Sequence, residues 1–110
     1  MGAANAVIDT LSDYQQVLNQ HPLVIVLFTS QSCQACLGVH PRFNSIAEKY
    51  AGRVKSMILD TARTPRIEGV DGTPTLVVYK NALEVENLKG IGAPDEQEAL
   101  LNQVFKDYAP

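Results

Sequence analysis

An α/β fold with a central mixed β-sheet flanked by helices is predicted by three features of this 110-residue chain. Six consecutive apolar residues, Leu23-Val24-Ile25-Val26-Leu27-Phe28, are too few for a membrane span and suit a strand buried on both faces. A stripe at helical spacing follows them: Cys33, Cys36, His40, Phe43, Ala47 and Tyr50. A second strand at 54–59 and a strand pair at 75–79 and 83–88 complete a strand–helix–strand alternation that ends in a hairpin.

In chain order, Ala6-Val7-Ile8 reads as a short edge strand. Thr10-Leu11-Ser12-Asp13 has the pattern of a helix N-cap, and Leu11, Tyr14, Val17 and Leu18 give the helix its apolar face. His21-Pro22 ends it before the strand at 23–28. The second helix is expected from about residue 33 to residue 50, kinked near 37–41 by Pro41 inside it. The strand at 54–59 should lie parallel to 23–28 as the other central strand, with Asp60 at its end. Residues 61–73 form a loop closed by Asp71-Gly72-Thr73-Pro74. Thr75-Leu76-Val77-Val78-Tyr79 is rich in β-branched side chains, and Lys80-Asn81-Ala82 turns it back into the strand 83–88. Gly90, Gly92 and Pro94 precede a last helix with Leu100, Leu101, Val104, Phe105 and Tyr108 on one face; Asp95 and Glu96 near its start and Lys106 near its end suit the helix dipole.

This length gives one domain, residues 1–110, with one sizeable core. An apolar content of 45% against 19% charged residues is that of a globular protein, and a net charge of −3 argues against a nucleic-acid partner. Arg63 and Arg66 are the nearest approach to a basic patch and read as solvated. No secretory leader and no membrane segment are visible, so a cytoplasmic protein is expected. Met1-Gly2 is not a myristoylation signal, because Ala6 stands where Ser or Thr is needed.

Cys33 and Cys36 are the chain's two cysteines. At a junction of strand and helix, unpaired N–H groups and the positive end of the dipole favour an anion. The relevant anion is a thiolate, the attacking and leaving group of disulfide exchange, which points to a redox site. The alternatives are a static disulfide and half a zinc site. A closed zinc site takes about four ligands, and only His21 and His40 could join the pair.

The order of elements, with Cys33-Gln34-Ala35-Cys36 at its second helix, resembles the thioredoxin family along essentially the whole chain. Pro41, five residues after Cys36, matches the proline of the family's active-site helix; Thr73-Pro74-Thr75 matches the segment containing its cis-proline. Asp60, Tyr79-Lys80-Asn81 and a late glycine, Gly90 or Gly92, fall where the family has similar residues. The resemblance implies a thioredoxin fold and a thiol–disulfide oxidoreductase that reduces protein disulfides without a bound cofactor. Its implied partners are disulfide-containing proteins and, as electron donor, a separate flavoprotein reductase or a low-molecular-weight thiol, within electron transport and cell redox homeostasis. A monomer is expected. Cys33 would be the nucleophile, Cys36 the resolving thiol, and Thr73 with cis-Pro74 the place where an extended substrate pairs.

Several positions depart from the family pattern. Ser32 replaces a tryptophan, Gln34-Ala35 replaces Gly-Pro, Thr73 replaces an isoleucine, and Leu27 stands where a buried carboxylate relays a proton to the resolving cysteine. These changes point away from the cell's general thioredoxin, towards a narrower substrate range or, as the alternative, a partner-binding module with little redox turnover. With Leu27 unable to relay a proton, His40, one turn after Cys36 and expected to point inward, becomes a candidate base for the Cys36 thiol. The competing reading is a packed histidine bonded to a backbone carbonyl.

Overall fold

The computed structural model describes residues 10–30, 33, 36, 38–64, 66, 67 and 69–109. The expected edge strand at 6–8, together with Ser32, Gln34 and Ala35, lies outside them. The elements run α1 (Leu11–Gln20), β1 (Leu23–Thr29), α2 (Val39–Glu48), β2 (Lys55–Asp60), β3 (Thr75–Lys80), β4 (Leu83–Lys89) and α3 (Pro94–Tyr108). Thr10 caps α1: its side-chain oxygen accepts the Asp13 N–H at 3.0 Å.

The described sheet has the order β2-β1-β3-β4, with β1 parallel to β2 and antiparallel to β3. β3, not β2, is therefore the second interior strand, and β2 is outermost among the described residues. All seven residues of β1 are buried, which explains an apolar run without alternation. Odd-numbered β1 residues Leu23, Ile25 and Leu27 join Val39, Phe43, Ile46, Ala47, Leu101 and Phe105 of α2 and α3. Even-numbered Val24, Val26 and Phe28 pack with Tyr14 and Leu18 of α1 on the other face. The result is three layers, with β1 fixed by the cores on either side and the start of α2 held through Val39 in the α2–α3 core.

The start of α2 differs from expectation. The α-helix begins at Val39 rather than at Cys33, because Gly38, its N-cap, has a left-handed backbone with φ +73°. Pro41 then falls in the first turn, where a helix N–H has no intrahelical partner to lose, so it need not kink the helix. The hairpin turn at Asn81 and Ala82 also has positive φ at both residues, 54° and 68°, the pattern of a two-residue type I′ turn.

Candidate active site

β1 delivers the chain to the site. After Thr29, Ser30 accepts the Cys33 N–H through its carbonyl at 3.3 Å, and the Cys33 carbonyl accepts the Cys36 N–H at 3.2 Å. These turns set the two Cα atoms 5.3 Å apart, with the sulfurs joined as a disulfide. Cys33 is partly exposed, whereas Cys36 is only 8% exposed and belongs to the apolar cluster of α2 and α3. The burial gradient therefore runs from the first sulfur to the second. With the α-helix starting at Val39, Cys33 does not stand at its first position, and expectations based on the dipole at that position fall away.

β3 brings in the second component. Phe28 lies opposite Thr75, so the residues just before Thr75 run beside those just after Phe28. The Thr73–Pro74 peptide is cis, as expected, and Pro74 is buried. The Ser30 and Thr73 hydroxyls are 3.0 Å apart. Ser30 thus holds the Cys33 N–H with its backbone and Thr73 with its side chain, joining the dithiol turn to the proline loop. Sequence reasoning missed this residue, although its place three positions before Cys33 is that of a turn acceptor.

His40 does not point inward. It is exposed, with Nε2 3.2 Å from the hydroxyl of buried Thr29. The left-handed residue at Gly38 separates the cysteine turn from the helix and breaks the expected phase between Cys36 and His40; Val39 takes the inward position instead. Leu27 is completely buried in the same cluster as Cys36, so hydrocarbon occupies the carboxylate position of the family pattern. Arg63 and Arg66 are exposed. Among the described residues, no group of three or more His, Cys, Asp or Glu side chains could hold a metal ion, and no helix is long and apolar enough to cross a membrane.

The thioredoxin family model matches residues 5–106. This chain belongs to the thioredoxin family. Among its relatives, Thioredoxin 1 of Nostoc sp. is 31% identical over 93 residues, covering 82% of this chain and 86% of its own. The H-type thioredoxin of Chlamydomonas reinhardtii is 29% identical over 108 residues, 92% of this chain and 95% of its own. A thioredoxin structure from Plasmodium falciparum superposes with a TM-score of 0.81 at 23% identity, covering 96% of this chain and all of the other, which shows the shared fold. Like its thioredoxin relatives, the chain is a protein-disulfide oxidoreductase, with its Cys-x-x-Cys pair at disulfide distance. Thioredoxins act on disulfide-containing proteins and draw on a reductase.

Proposed function

We propose that this thioredoxin reduces a restricted set of protein disulfides in the cytoplasm, acting as a monomer. The observation that carries the reading is the burial gradient across the dithiol beside the Thr73–Pro74 loop. In the reduced protein, the partly exposed Cys33 thiolate attacks a substrate disulfide, forming a mixed disulfide and releasing one substrate thiolate. The Cys36 thiolate then attacks the Cys33 sulfur. The Cys33–Cys36 disulfide forms, the second substrate thiolate leaves, and two electrons have passed to the substrate. A flavoprotein reductase or a low-molecular-weight thiol returns them.

Thr73 and Pro74 supply the surface on which an extended substrate pairs, largely through backbone groups. The restricted range is supported by Ser32 in place of tryptophan and by a Thr73 hydroxyl already engaged with Ser30. From its exposed place on Thr29, His40 takes up the Cys36 proton through solvent rather than by direct contact as that thiol resolves the mixed disulfide.

Reduction of insulin disulfides, with a small dithiol as electron source, tests the activity. The parent protein should precipitate insulin chains, and Cys33→Ser should not. Cys36→Ser should accumulate mixed disulfides through Cys33. A reactive Cys33 in a Cys36→Ser protein that captures no disulfide substrate would instead indicate a partner-binding module.

A further inference from the structure

We propose that Arg42 and Gln97 are positioning residues for protein substrates, because together they tie the glycine turn after Cys36 to the loop flanking cis-Pro74. The inference rests on the protein-disulfide reductase reading above.

Gln97 is completely buried on α3, where neighbouring inward positions are the apolar Leu101, Val104 and Phe105. An amide there loses its hydration and needs partners at both ends. Its Oε1 accepts a hydrogen bond from Arg42 Nη1 at 2.8 Å, and its Nε2 donates to the Gly92 carbonyl at 3.1 Å. On α2, the Arg42 guanidinium lies across Gly38, with Nη2 3.4 Å from where a Cβ would stand. On the other side of the link, the Gly90 N–H donates to the Pro74 carbonyl at 2.8 Å. One path therefore runs from Arg42, lying beside Gly38, through its hydrogen bond to Gln97 and the 90–92 loop to Pro74.

The loop needs such a tie. Gly90 and Gly92 have φ +80° and +86°, and glycine gives a chain the greatest backbone freedom. An apolar side chain in place of Gln97 could fill the gap between helices, but it could not hold Gly92 or orient a guanidinium over Gly38. A protein substrate must meet the dithiol and the proline loop together, so their relative placement affects its docking. A small disulfide meets only the sulfur. Misplacement by about 1 Å can cost as much as 10²-fold in rate when a reaction depends on positioning.

Insulin reduction and stoichiometric reaction of the reduced protein with a small aromatic disulfide (5,5′-dithiobis-(2-nitrobenzoate)) separate these roles. Gln97→Leu should raise KM for insulin about three- to tenfold, with kcat and the small-disulfide rate constant within about twofold of the parent. Gln97→Glu keeps an acceptor for Arg42 but loses the donor to Gly92, so it should reproduce that defect. Arg42→Met should also raise the insulin KM, and Arg42→Lys should recover part of the loss. Should Gln97→Leu fail to fold by circular dichroism, the partly exposed Arg42 variants carry the test. Folded variants that match the parent on insulin, or that lose both reactions equally, overturn the positioning role while leaving the reductase reading intact. A parent protein that leaves insulin disulfides unreduced overturns the reductase reading and this role with it.

Discussion

At the scale of single residues, His40 is the clearest case in which position along the chain and position in space disagree. Cysteine spacing and the apolar stripe are legible because each is local, whereas the phase of the helix depends on one backbone angle at Gly38. The Arg42–Gln97 contact spans 55 residues, and nothing local in either segment announces it. His40 still stands at the edge of the site, on Thr29. His40→Ala should slow resolution of the mixed disulfide on the order of tenfold while leaving its formation unchanged. This is less than a usual general-base effect because thiolate is already partly populated near neutrality. Since the side chain is exposed, stability should change by no more than about 0.5 kcal/mol. Single-turnover rates equal to the parent's from about pH 6 to 8 would show that the imidazole only packs on Thr29.

At the scale of elements, α1 and β1 were legible because their signals are short-range: a capping threonine, a proline stop and an unbroken apolar run. How α1 joins the sheet was not, for it depends on a hydroxyl pair 65 residues apart. Tyr14 donates to the Tyr79 hydroxyl at 2.7 Å in the α1-side core. Burial pushes both phenols above the ordinary tyrosine value of 10.0, and the charges of Tyr79 and Glu84 add to the rise at Tyr14. A raised folded-state value favours the neutral form. The associated stability is complete below about pH 10 and is lost as pH rises further, where the unfolded chain ionises and the folded one resists. Tyr14→Phe should cost about 1–3 kcal/mol by leaving the Tyr79 hydroxyl without its donor. Tyr14→Phe with Tyr79→Phe should cost no more than the single change and should flatten the alkaline decline in urea midpoints. The β3–β4 turn offers a change of opposite sign. Ala82 at φ 68° bears strain that glycine lacks, so Ala82→Gly should stabilise by about 0.5–1 kcal/mol after its entropic cost, raising Tm by a few degrees.

At the scale of the whole molecule, the site is assembled from distant parts of the chain. β1 supplies the cysteine turn, the approach to β3 supplies the proline, and α3 supplies the amide that ties the flanking loop. Three-layer packing makes this possible, since β1 is paired with β2 and β3 and covered by helices on both faces. That arrangement also fixes an order of events during synthesis. The ribosome releases Cys33 and Cys36 before Pro74, and Pro74 before Gln97. At about 5–20 residues per second, the nascent chain therefore exposes its thiols for roughly several seconds before the surface proposed to select their partners can exist. During that interval the sulfurs have their intrinsic chemistry and no selectivity, and any disulfide they meet is chosen by proximity alone.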